Sequence, residues 1–103
     1  MPNGAKRWVF TWNNYTNDDK QSLATASAGD LGITYMVYGE EVGESGTPHL
    51  QGFVILNQRR SLAWLRTKIS ASAHFEVARG TPQQAADYCK KDGAFTEYGN
   101  LRS

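Results

Sequence analysis

His49 and Gln51 stand two residues apart in the otherwise apolar run TPHLQGFVIL (residues 47–56). Side chains alternate across a strand, so these two share one face while Leu50 and Val54 take the other. An imidazole nitrogen and an amide oxygen, joined by a carboxylate, make an oxygen-rich donor set suited to a divalent ion such as Mg²⁺ or Mn²⁺. The preceding run ITYMVYGEE (33–41) ends in Glu40 and Glu41. A hairpin through VGESGT (42–47) would return one of them beside His49, and parity alone leaves open which. The competing reading is a strand with one solvated face. The set is poor for structural zinc and workable for catalysis.

A second constellation lies near the C-terminal end. At about 100° per residue along a helix, Gln84, Tyr88 and Lys91 form one stripe. Pro82, Ala85, Ala86 and Cys89 form another, small enough to pack closely on a sheet. Tyr88 is then a large aromatic off the core stripe, either a boundary tyrosine or a phenol nucleophile with Lys91 one turn on to offset anionic charge.

The elements that must carry these residues follow from local signals. RWVFTWNN (7–14) reads as a strand and TNDDKQSLATASAG (16–29) as a short capped helix. Residues 33–41 and 49–56 read as a hairpin. Ser61 caps a helix running through Ile69, in which Leu62, Leu65 and Ile69 recur at helical spacing. HFEVA (74–78) alternates as a strand. Thr81, Pro82 and Gln84 form a capping-box start for a helix to about Lys91, ended by Gly93. AFTEYG (94–99) is a last strand. The order β-α-β-β-α-β-α-β predicts one α+β domain over residues 1–103, an antiparallel sheet of about five strands. Helices should cover mainly one face, in a ferredoxin-like, split βαβ arrangement.

Composition bounds the rest. Hydrophobic residues at 40% and charged residues at 20% fit a folded domain and exclude a disordered chain. No apolar run reaches the length of about 18 residues that spans a bilayer, and MPNGAKRW has no apolar signal core, so no membrane partner is expected. The lone Cys89 excludes an intrachain disulfide, favours a reducing compartment and leaves too few thiols for a typical zinc site. A net charge of +1 argues against a polybasic nucleic-acid coat. The clusters Lys6–Arg7, Arg59–Arg60 and Lys90–Lys91 permit a local phosphate strip.

FTWNN (10–14), HLQ (49–51) and YCKK (88–91) stand in the order of three motifs, and GEEVGESGTPHLQG (39–52) and HFEVARGT (74–81) accompany them. Together they resemble the endonuclease domain of HUH rolling-circle replication initiators, on the branch of circoviruses and related small circular single-stranded DNA viruses. Gln51 stands where the family name implies a second histidine. Trp12 replaces a common leucine, and Tyr15 a frequent proline. The resemblance implies that Glu41, His49 and Gln51 hold a divalent metal, Mn²⁺ or Mg²⁺. It implies that Tyr88 is the nucleophile and Lys91 the motif lysine. It further implies a single-stranded DNA substrate at a viral origin stem-loop, a covalent 5′-phosphotyrosine adduct, and a host-nuclear setting. Full-length initiators of this kind add a helicase domain; with no P-loop, this chain is expected to nick and rejoin without unwinding.

Lys6, Arg7, Trp12 and Asn13 are the expected DNA contacts, with Arg59, Arg60 and Arg79 as further phosphate ligands. His74 and Glu76 are expected to decorate a strand face or support the site from outside. The main alternative is a non-catalytic single-stranded nucleic-acid module on the same kind of sheet. It should carry stacking aromatics in a pattern like RGFGFV, which is missing here. A cysteine hydrolase built on Cys89 lacks a neighbouring base, and VGESGT lacks the GK[ST] of a nucleotide loop.

Overall fold

Strict alternation governs the first strand. In β1 (Gly4–Asn13), Trp8, Phe10 and Trp12 are buried, whereas Arg7 and Asn13 are exposed. The computed structural model describes residues 4–101, so Met1–Asn3 of the opening stretch lie outside the described residues. Helix α1 (Asn17–Ala28) starts at a capping box. The Thr16 hydroxyl accepts from the Asp19 amide at 3.1 Å, and the Asp19 carboxylate accepts from the Thr16 amide at 2.8 Å. Strands β2 (Ile33–Val42) and β3 (Pro48–Ser61) form the expected hairpin. Helix α2 (Leu62–Lys68) is capped by Ser61, and β4 (His74–Val77), α3 (Pro82–Lys90) and β5 (Phe95–Gly99) complete the chain.

The five strands lie in the order β4-β1-β3-β2-β5, and every neighbouring pair is antiparallel. This is the α+β class expected from the sequence. β3 runs past its expected end at residue 56 because Gly4 and Ala5 of β1 pair with Ser61 and Arg60, beyond a register irregularity between Ala5 and Arg7.

Each face of the sheet has its own core. Leu23 of α1 and Leu65 of α2 pack with Trp8, Phe10, Trp12, Met36, Tyr38, Leu50 and Val54. Ala86 and Cys89 of α3 pack on the opposite face with Tyr35, Val37 and Phe53. Two helices thus share a face and the third lies alone on the other, where His49 and Gln51 also point. Gly52 opens space on the first face, since a Cβ there would meet the Phe10 ring at 2.0 Å. Gly39 does the same on the second, where a Cβ would meet the Cys89 carbonyl oxygen at 2.0 Å. The close seat of α3 on β2 depends on that missing methyl.

Candidate active site

The β2–β3 hairpin settles the parity question. Glu41 lies directly across from His49 in the antiparallel register, and His49 Nε2 sits 3.2 Å from Glu41 Oε1. Glu40 points to the other face, where it accepts from the Tyr15 hydroxyl at 2.9 Å and pairs with Lys20 at 3.3 Å. Burial first, then this hydrogen bond to Glu40, raises the Tyr15 phenol above its ordinary pKa. The connecting turn closes through Gly43 N–H to Thr47 C=O at 3.1 Å, with Gly46 at φ 84°, a conformation open to glycine. The Thr47 carbonyl also lies 3.4 Å from His49 Nδ1.

Helix α3 brings the second constellation to the same place. Thr81 and Gln84 form its capping box, at 3.1 and 3.0 Å, with Pro82 in the first turn. Ala86 and Cys89 turn inward while Tyr88 remains 54% exposed. Tyr88, Gln51, Arg79, Gln84, Val9, Ala85 and Cys89 line a cleft of about 280 Å³. The Lys91 ammonium donates to Glu41 Oε2 and lies 4.0 Å from the Tyr88 ring centroid. One side chain therefore touches both the strand carboxylate and the helix phenol. Burial works against the Lys91 ammonium, but the hydrogen bond and charge of Glu41 outweigh it, so its pKa lies above the ordinary lysine value.

The donor set suits a hard cation. Glu41 is a carboxylate with only 10% of its side chain exposed, and its partners are the Lys91 ammonium and the His49 imidazole. A divalent ion would meet the same demand. Among the described residues no group of three or more His, Cys, Asp or Glu side chains gathers at one point, so Gln51 would have to complete the set. Cys89, by contrast, is no nucleophile. Burial, then the Glu41 charge, pushes its thiol up to about 12, which keeps it protonated at neutral pH.

A family model described as "Putative viral replication protein" matches residues 5–92. The chain belongs to this family of viral replication proteins. It is similar to the replication-associated protein of pigeon circovirus, 47% identical over 86% of this chain and 27% of that protein. It is also similar to the replication-associated protein of porcine circovirus 2, 38% identical over 89% of this chain and 29% of that protein. The Para-Rep C2 protein of the subterranean clover stunt C2 alphasatellite is 36% identical over 92% of this chain and 34% of its own length. The chain thus spans about a third or less of the relatives it matches.

The expected nucleic-acid contacts of this replication-family chain divide once their surroundings are known. Lys6, Arg7 and Arg59 line a groove of about 550 Å³ with Ala5, Ile55, Val77 and Ala78. Asn13 is exposed at the end of β1 beside His49, its register partner. Arg79 lines the Tyr88 cleft. Arg59 donates to the Gly4 carbonyl at 3.0 Å, and Arg60 is half-buried with its guanidinium 4.6 Å from the Trp64 ring centroid. Trp12 corrects the sequence reading. It is 5% exposed in the core beneath α1 and α2, on the face opposite Tyr88, and has no free surface on which a base could stack. Its place beside Trp8 and Phe10 at alternate positions was the signal for this. His74 and Glu76 pair with each other at 2.8 Å on the edge strand β4. The sequence reading missed Tyr35 and Glu97: Glu97 on β5 pairs with Lys90 of α3 and accepts from the Tyr35 hydroxyl of β2.

Proposed function

We propose that this chain nicks and rejoins single-stranded DNA, through a tyrosine–phosphate intermediate, to start rolling-circle replication of a small circular viral genome. The observation that carries the reading is Lys91, whose one ammonium touches both the Glu41 carboxylate and the Tyr88 ring. That contact ties the hairpin to the helix and makes the two constellations one site. The family membership and the circovirus relatives support a role in viral replication.

In the proposed reaction the strand lies along the exposed residues of β1 and β3, led by Arg7 and Asn13, with Arg79 reaching it from the segment between β4 and α3. Its scissile phosphate rests between the Glu41–His49 pair and Tyr88. Tyr88 Oη attacks phosphorus; the Oη–P bond forms as the P–O3′ bond breaks. The phenolic proton leaves Oη and a proton ends on the departing 3′-oxygen. A 5′-phosphotyrosine remains, and a later 3′-hydroxyl reverses the step to join ends. Lys91 lies close enough to Tyr88 to offset anionic charge at the phenol and phosphate. Glu41, His49 and Gln51 would hold Mn²⁺ or Mg²⁺, which supplies Lewis-acid polarisation of the phosphoryl oxygens. The proposed substrate is the single-stranded part of an origin stem-loop, the proposed setting is a host nucleus, and a helicase domain is proposed for the longer protein.

The test incubates 5′- and 3′-labelled single-stranded oligonucleotides with the protein and Mn²⁺, Mg²⁺ or chelator, then maps the adduct by mass spectrometry. An adduct on Tyr88 that chelator and Tyr88→Phe both abolish is the expected result. Full nicking by Tyr88→Phe would refute the reading. Ion-independent binding with no adduct would favour the non-catalytic module.

A further inference from the structure

Lys90 and Lys91 are neighbours in sequence, yet their ammonium groups reach different strands. Lys91 goes to Glu41 on β2. Lys90 goes to Glu97 on β5, at 2.6 Å, and lies 5.4 Å from the Phe95 ring centroid. Glu97 Oε2 also accepts from the buried Tyr35 hydroxyl at 2.5 Å, which fixes the carboxylate from beneath. Between these two anchors the Cys89 carbonyl rests over Gly39. The last turn of α3, which bears Tyr88, is thus held at three points on two strands.

We propose that Glu97 is a positioning residue for Tyr88: by drawing Lys90 to β5 it sets the rotation of the last turn of α3, so that Lys91 falls on Glu41 and the Tyr88 phenol on the cleft beside Gln51. The inference rests on the reading of Tyr88 as nucleophile. Its force lies in helical geometry. Adjacent residues on a helix are about 100° apart, and both lysines are long enough to seek the same carboxylate. If Lys90 took Glu41 instead, the helix end would have to turn by about that angle, carrying Tyr88 off the cleft. Glu97 removes this alternative by occupying Lys90. Helix C-terminal turns leave carbonyls without intrahelical partners and fray readily, so rotation there is the motion to be restrained. Side chains 27% and 33% exposed form an ion pair that adds little to stability. The effect should therefore fall on rate rather than on folding.

The experiment compares Glu97→Gln, Lys90→Met and the double variant in four measurements: single-turnover adduct formation on an oligonucleotide, affinity for that oligonucleotide, melting temperature, and amide hydrogen exchange across residues 88–91. Each single change should slow adduct formation roughly ten- to a hundredfold, the range a small misplacement of reacting groups produces. Oligonucleotide affinity and the melting temperature should stay near wild type, and exchange in the last turn should rise. The double variant should be no slower than either single one, because both changes break the same contact. A wild-type labelling rate for Glu97→Gln, unchanged exchange, or additive losses would each overturn the proposal. If the wild-type protein formed no adduct while Glu97→Gln still loosened the last turn, the proposed chemistry would fall and the clamp would stand.

Discussion

Glu41 shows what one carboxylate demands of its neighbours. With 10% of its side chain exposed it has lost most of its water, and Lys91 and His49 replace that solvation. Lys91→Met should lower the melting temperature by the equivalent of about 1 kcal/mol, below the usual range for a charged hydrogen bond because the ammonium is partly exposed. The same change should strengthen Mn²⁺ binding by titration calorimetry, since the internal cation no longer competes for Glu41, while adduct formation falls. Equal or weaker Mn²⁺ affinity would refute the competition. The pH dependence follows from the raised Lys91 pKa. The pair's stabilisation is complete below the ordinary lysine value and disappears as pH rises through the elevated one. The difference between wild type and Lys91→Met in a melting series should therefore hold through neutral pH and close only on the alkaline side.

At the scale of elements, two glycines on opposite faces separate stability from positioning. Gly39→Ala would drive a methyl into the Cys89 carbonyl, and Gly52→Ala would drive one into the Phe10 ring. Each should cost about 1–3 kcal/mol as an overpacked site, read from denaturant or thermal melts. Gly39→Ala should in addition displace the last turn of α3 and abolish the Tyr88 adduct. Gly52→Ala should retain it at temperatures where the protein is folded. Equal loss of adduct in both variants would mean that α3 is not specially held at Gly39. Much of this layout was legible in the sequence. The cap and first-turn acids ahead of α1 and the capping box at Thr81 marked two helix starts, and the period-two pattern around His49 marked the hairpin. Alternation within one strand does not fix its register against the next, so the choice between Glu40 and Glu41 needed the β2–β3 pairing that sets Glu41 across from His49. Trp12 went astray because its aromatic character outweighed its parity with Trp8 and Phe10. The Glu97–Lys90 contact spans β5 and α3, and no local spacing encodes it.

For the whole molecule, the electrostatic question raised by the proposed function is how a chain of net charge +1 would hold a polyanion. The positive side chains must work locally, and the structure gathers Lys6, Arg7 and Arg59 along one groove and sets Arg79 at the Tyr88 cleft. If these side chains neutralise about four phosphates, the slope of log affinity against log salt for a single strand should be about −3. A polybasic coat would produce a much steeper dependence. Arg7→Ala should flatten the slope by about 0.7 and weaken binding of all sequences alike, as loss of one phosphate contact does. Arg60→Ala should leave the slope nearly unchanged, because its guanidinium is turned to Trp64, and should show its loss in melting temperature instead. Fluorescence anisotropy of a labelled oligonucleotide across a salt series measures both. A slope unaffected by Arg7→Ala would move the DNA path off the β1 groove, and a slope flattened by Arg60→Ala would bring the far end of β3 into it.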